Sequence, residues 1–182
     1  MVVLMYVFVY FLKFIYFFLK FLPVKNKIVF ISRQTDKPSV DFRMLSKEII
    51  NIDKNVKIVF VTKKMKKNVN DVIKNLFVIF MQLYHLATSK VCIIDGYNIA
   101  VSVLNHKSEL KVFQIWHSLG AIKKFGYQTL NTIKSKKTAK IFKLHNIYDY
   151  ITCSSNDMIK YFSKSFNYKK TNFVPIGLPR ID

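Results

Sequence analysis

Glycine occurs only 4 times in 182 residues, and neither a Gly-x-Gly-x-x-Gly fingerprint nor a Walker loop can be drawn from those positions. A tightly bound dinucleotide or ATP is therefore not indicated, because both need glycine turns that bring backbone amides onto phosphates. Cysteine is scarcer still. Cys92 and Cys153 lie far apart in apolar runs with no second ligand at metal spacing, which argues against a disulfide framework and a cysteine metal site and reads as reduced, buried strand residues. Acid is short too: 10 Asp and Glu stand against 30 Lys and Arg, a formal charge of +20. So basic a chain is drawn to polyanions, whether nucleic acid, an anionic membrane or a polyphosphate substrate. Abundant Lys, Asn, Ile, Phe and Tyr beside scarce Ala and Gly also looks like AT-rich coding, so charge alone does not choose among them. Nucleic acid is disfavoured, since the aromatics sit in apolar runs instead of interleaving with lysines, and no recognition motif appears.

What is present begins with a membrane-like segment. Residues 1–22 hold no acid and only two charges, Lys13 and Lys20. A helix of that length would reach roughly across a bilayer's hydrocarbon core at about 1.5 Å per residue. Tyr6, Tyr10, Lys13, Tyr16 and Lys20 recur at steps of three or four, which gathers them on one side and favours a helix lying in the membrane interface with snorkelling lysines and aromatic anchors. A cleavable signal is disfavoured by the missing basic start and small-residue cleavage site, and a helix packed on the domain by the narrow stripe left for solvent. If the segment spans, the basic flank Lys20, Lys25, Lys27 and Arg33 keeps the rest in the cytoplasm. Either way the expected location is the cytoplasmic face of the cell membrane.

From residue 27 onward the chain alternates. Strands are expected at 27–32, 56–62, 90–94, 111–116, 147–153 and 171–175. Between them, helical spacing covers 40–52, a stretch from a cap at Asn68 or Asn70 to about Leu86, and a stretch from a cap at 154–157 to about Phe166. This pattern implies an α/β fold, a Rossmann-like parallel sheet covered on both faces with its site at the carboxyl ends of the strands. The expected division is a membrane-associated helix over 1–22 and a Rossmann-like domain over 27–182.

The run Val-Phe-Gln-Ile-Trp-His-Ser-Leu-Gly-Ala-Ile-Lys-Lys-Phe-Gly-Tyr, residues 112–127, reads as strand, tight turn and helix start. Such a junction offers free N–H groups and a helix dipole to an anion. His117 at its mouth is the candidate general base, with Gly120 in the turn, and Lys123 and Lys124 read equally as contacts to phosphate oxygens or as an ordinary solvated helix face. Asp95, ending an earlier strand, is a candidate substrate contact, although Asp before Gly is also ordinary turn chemistry. His85, His106 and His145 lack such a setting and read as structural. The clusters Lys63, Lys64, Lys66, Lys67 and Lys134, Lys136, Lys137, Lys140 read either as contacts to anionic lipid or polyanion or as solvated surface.

Trp116-His117-Ser118-Leu119-Gly120-Ala121-Ile122-Lys123-Lys124-Phe125-Gly126 resembles the Trp-His-Gly/Ala-x-x-x-x-Lys signature of the CDP-glycerol glycerophosphotransferases of teichoic acid synthesis. Ala87-Thr88-Ser89-Lys90-Val91 with Asp95 and Tyr97, then Ser154, then Gly177-Leu178-Pro179-Arg180-Ile181-Asp182, resemble further elements of that family in its order. Ser118 and Ala121 depart from it, standing where many members have Gly and Pro. The resemblance implies the acceptor-side, amino-terminal half of a GT-B transferase, with the donor pocket and a second essential histidine in a carboxyl-terminal domain. It also implies the reaction: a hydroxyl of a membrane-linked glycerol-phosphate acceptor, deprotonated by His117, attacks the β-phosphate of CDP-glycerol and releases CMP. No cofactor or metal is implied. The expected partners are CDP-glycerol, that polyanionic acceptor and an anionic membrane surface, with a non-catalytic acceptor-binding remnant or a sugar-nucleotide GT-B enzyme as alternatives.

Overall fold

The computed structural model describes residues 2–64, 72–118, 120 and 123–181. In chain order the elements are α1 (Val2–Leu19), β1 (Lys27–Ser32), α2 (Val40–Ile52), β2 (Lys57–Thr62), α3 (Val72–Thr88), β3 (Val91–Ile94) and α4 (Ile99–Val103). They continue through β4 (Lys111–Gln114), α5 (Ile133–Ile141), β5 (Tyr150–Thr152), α6 (Asn156–Phe166) and β6 (Phe173–Val174). The six strands are all parallel and lie in the order β2-β1-β3-β4-β5-β6. The chain winds outward from β1 in both directions, so the topological switch point falls between β1 and β3.

Alternation along the strands builds the two covered faces. Val29, Ile31, Cys92, Ile94 and Val112 point into a core closed by Leu83 and Leu86 of α3, Val101 of α4, and Phe162 and Phe166 of α6. Phe30 and Ile93 point the other way, onto Phe42 of α2 and Leu178. Ser39 caps α2 by accepting from the Phe42 N–H. Both cysteines are buried and free.

Several expected boundaries move inward. β4 ends at Gln114 instead of 116 because Trp116 turns the chain at φ 54, in the left-handed region. Ile147, at φ 67, likewise keeps β5 from starting before Tyr150. Ser155 holds the N-cap position of α6 without a side-chain hydrogen bond. The expected caps Asn68 and Asn70 lie outside the described residues.

α1 forms as expected but, against the sequence-based preference, packs one side on the domain, and Tyr16 leaves the exposed stripe that Tyr6 and Tyr10 keep. Tyr16 is 2% exposed, its hydroxyl 3.0 Å from Nδ1 of His106, and Val9 and Leu12 are buried beside it. The Tyr and Lys side is thus partly the packing side, because a Tyr hydroxyl that finds a partner can be buried at little cost. The outward side is mostly apolar: Val3 and Phe14 are 75% and 64% exposed, with Tyr10 at 64% among them.

The three remaining histidines are structural. His85 is 3.1 Å from the buried Lys27 ammonium, His106 bonds the Val101 carbonyl, and His145 is packed among Trp116, Tyr148 and Phe166. Burial holds each of the three down at about 4. The unfolded chain takes up these protons near its ordinary value of about 6.5, the folded chain only near 4, so stability falls as pH drops through that window. The melting temperature is accordingly expected to decline between pH 6.5 and pH 4 and to be flat in this respect from pH 7 to 7.5, as scanning calorimetry would show.

Candidate functional site

The crevice at the switch point is bordered by the residues that leave β1 and β3, and His117 enters it from the turn after β4. Its Nδ1 lies 2.9 Å from the Asp95 carbonyl oxygen. A carbonyl only accepts, so Nδ1 carries the proton and Nε2 keeps a free lone pair. The Gln34 side-chain amide is 3.1 Å from the same Nδ1. The amide atom placed there is the nitrogen Nε2; because Nδ1 already donates to the Asp95 carbonyl, a hydrogen bond between the two side chains requires the amide turned so that its oxygen faces the ring. The Gln34 side chain also lies against Gly96, where an added Cβ would meet it at 3.0 Å, so the glycine permits this approach. His117 itself is exposed.

Behind the imidazole the support is a buried amide. Gln114, 0% exposed, accepts from the Trp116 N–H at 3.0 Å and donates to the Gly96 carbonyl at 3.1 Å. One amide therefore ties the turn that carries His117 to the turn that carries Asp95. It also stabilises the left-handed conformation of Trp116, which a bulky residue adopts only when its surroundings hold it there. The Trp116 ring stacks on Phe125 at 4.7 Å and meets Phe166 edge-on at 5.1 Å. Gln114→Leu keeps the size but leaves two buried backbone groups without partners, an expected cost of about 1–3 kcal/mol for each. A urea titration checks this.

Asp95 is 6% exposed, and its Oδ1 has no hydrogen-bond partner among the described residues. Burial pushes its carboxyl above the usual range, with a hydrogen bond from Ser32 and the nearby His117 pulling the other way. Arg180 approaches from the carboxyl end of the chain. Its guanidinium pairs with Asp41 at 2.7 Å and donates to the His117 carbonyl at 3.3 Å, while its N–H donates to Asp41 at 3.1 Å. The first turn of α2, the Pro-Arg element and the His117 turn are thus fastened together.

The sequence-selected residues divide accordingly. His117 and Asp95 come together. Gly120 lies in the turn, its carbonyl accepting from the Ser118 hydroxyl at 2.9 Å. Lys123 and Lys124 are exposed and make no hydrogen bond or ion pair among the described residues. The helix expected to begin at these lysines is not there; Leu119, Ala121 and Ile122 lie outside the described residues. Phe125 turns into the core, a 3-10 turn covers Gly126–Thr129, and the helix begins only at Ile133, behind a Thr132 and Ser135 capping box. Gly126, at φ 54 with the Ser165 carbonyl 2.3 Å from where a Cβ would stand, stops any helix running through it. Sequence reading missed Gln34, Asp41, Gln114 and Arg180. Arg180 alone carried a signal, as part of the Gly-Leu-Pro-Arg run. Among the described residues no group of three or more His, Cys, Asp and Glu forms a metal site.

A doubly wound parallel sheet with an exposed histidine anchored at the carboxyl ends of its strands defines a Rossmann-like α/β domain. The chain belongs to the CDP-glycerol:poly(glycerophosphate) glycerophosphotransferase family, whose model matches residues 14–182. It is 34% identical over 164 residues to the teichoic acid ribitol-phosphate primase of Bacillus spizizenii, a match covering 88% of this chain and 42% of that protein. It is 36% identical over 111 residues to the teichoic acid glycerol-phosphate primase of Bacillus subtilis, covering 60% and 29%. The chain thus spans less than half the length of these relatives. The wall teichoic acid polymerase TagF shares the fold, with a TM-score of 0.60 at 16% identity over 86% of this chain and 39% of that one.

Proposed function

We propose that this chain is the acceptor-side domain of a transferase that moves glycerol phosphate from CDP-glycerol to the hydroxyl of a membrane-linked acceptor, releasing CMP. His117 is the general base. The observation that carries this is the anchored imidazole: Nδ1–H is held by the Asp95 carbonyl, so Nε2 is the basic atom left at the open end of the sheet. Asp95 and the Gln34 amide orient the ring, and Gln114 and Arg180 hold the turn on which it stands. Gly120 shapes that turn, and Lys123 and Lys124 supply exposed positive charge for a phosphate brought to the crevice. Family membership supports the donor, and a TagF structure carries CDPG from a soak.

The same reading places residues 1–22 in the membrane interface at the cytoplasmic face, with 27–182 as the catalytic domain. α1 packs one side on the domain and turns a continuous apolar side outward, which suits a helix lying in the plane of the interface better than one leaving the domain to span. Lys13 and Lys20 stand at the rim, where their ammonium groups reach lipid phosphates.

The test is transfer of label from radiolabelled CDP-glycerol to a lipid-linked glycerol-phosphate acceptor by this chain supplied with a carboxyl-terminal domain of the family. Transfer sustains the reading. Transfer from a sugar nucleotide instead of CDP-glycerol, or no transfer at all under conditions where an intact family enzyme works, sinks it.

A further inference from the structure

Lys134, Lys136, Lys137 and Lys140 have no part in the site around His117. Between residues 110 and 148 the chain carries 8 lysines and not one aspartate or glutamate. The ion pairs among the described residues join Lys63 to Asp36, Lys111 to Asp149 and Arg180 to Asp41, so the lysines of α5 are uncompensated. α5 buries only Ala139 and Ile141, which leaves the rest of its surface to do something else.

Two hollows flank the helix and share the side chain of Leu130. One, of about 440 Å³, is lined by Tyr97, Leu130, Lys134, Thr138 and Phe142 among others. The next, of about 340 Å³, is lined by Tyr127, Leu130, Lys136 and Lys140. Together they form a groove with apolar walls and ammonium groups along its length. Lys134 to Lys140 is about 9 Å of helix, at about 1.5 Å per residue, enough to meet more than one phosphate. Tyr97 joins this groove to the crevice. It follows by two residues Asp95, whose carbonyl anchors His117; its hydroxyl donates to the Phe142 carbonyl at 2.7 Å, and the Arg33 guanidinium lies 5.7 Å over its ring.

We propose that the groove along α5, from Tyr97 to Lys140, binds a phosphodiester-linked polyol: the units of the acceptor that lie behind the hydroxyl facing His117. Lysines serve such a chain as point charges for successive phosphates, and Leu130 and Phe142 pack against its carbon skeleton. This rests on reading the chain as an acceptor-side domain. A phosphatidylglycerol headgroup offers the same chemistry, but α1, the apolar face of the molecule, packs on α3 and α4 and not around this groove.

The experiment uses the full chain in zwitterionic micelles and a synthetic 1,3-linked glycerol phosphate trimer, followed by calorimetric titration with glycerol as the neutral control. Trimer binding is expected to weaken at least tenfold in the double variant K134E and K140E, and in Thr138→Trp, which fills the larger hollow. Lys47→Glu combined with Lys54→Glu, the same charge change on the exposed surface of α2 and the loop after it across the sheet, is expected to stay within twofold, and melting temperatures of all variants check folding. The proposal fails if the α5 variants bind the trimer as the parent does. It also fails if they lose only binding to phosphatidylglycerol vesicles, measured against phosphatidylcholine vesicles. Loss of transfer with trimer binding intact would remove the transferase reading and leave the groove standing.

Discussion

His117→Ala is expected to lower kcat for glycerol phosphate transfer by about 10²–10⁴-fold, the usual contribution of a positioned general base. That range corresponds to about 2.7–5.4 kcal/mol of barrier. The variant removes Nε2, which has no protein partner among the described residues, so it removes proton transfer without disturbing the fold around it: the ring is exposed, and the Trp116 turn is held by Gln114 and not by the imidazole. KM for CDP-glycerol is therefore expected to change little. Single-turnover transfer, in the protein completed with a carboxyl-terminal domain, reads the chemical step directly. A variant within tenfold of the parent would remove His117 from the role of base. Gln34→Leu provides the contrast, since it leaves Nε2 in place and removes only one support of the ring; a smaller loss is expected there, recovered in part by Gln34→Glu, whose carboxylate can still accept from Nδ1.

Phe166→Ala is expected to produce the largest loss of stability, about 3–5 kcal/mol. Phe166 is 0% exposed at the end of α6, and its ring meets Trp116, Phe125, His145 and Phe162 within 4.6–6.0 Å. Removing it opens a cavity that these rigid rings cannot collapse to fill, and domains of this size have only about 5–15 kcal/mol to lose. Phe166→Leu, closer in volume, is expected to cost well under half as much. Urea titrations of the two variants measure the difference, and near-equal midpoints would contradict the packing argument. The same cluster seats Trp116, so Phe166→Ala is expected to slow transfer beyond what its folded fraction explains.

A continuous apolar run placed β1 to the residue, because a strand covered on both faces buries nearly every side chain; helical spacing placed α2 to the residue as well, although of its apolar positions only Phe42 is fully buried and Ile52 stays exposed. The elements that escaped sequence reading are those where the pattern is not carried by burial. α4 reads Ile-Ala-Val-Ser-Val, β-branched and nearly all buried, and is helical because Asn98 caps it by accepting from the Val101 N–H. α5 is lysine-rich and polar almost all round, so its period is faint. β4 was read two residues too long, since Ile115 and Trp116 look like strand residues until a positive φ at Trp116 turns the chain.

At the site, residue type and local order pointed to His117 and Asp95: an imidazole and a carboxylate at the ends of apolar runs are legible from chemistry and spacing alone. The amino-acid sequence by itself thus determined an alternating α/β chain with a parallel sheet, an apolar amino-terminal helix, a basic surface, and the histidine at a strand's carboxyl end. Tertiary structure decided which nitrogen of that histidine is free, because the Asp95 carbonyl that fixes its tautomer lies 22 residues away in the chain. It also decided that Arg180 reaches Asp41 across 139 residues, and that the apolar side of α1 faces outward while Tyr16 is covered. Such contacts join segments whose separation carries no periodic signal; they exist only once the sheet has brought its strand ends together.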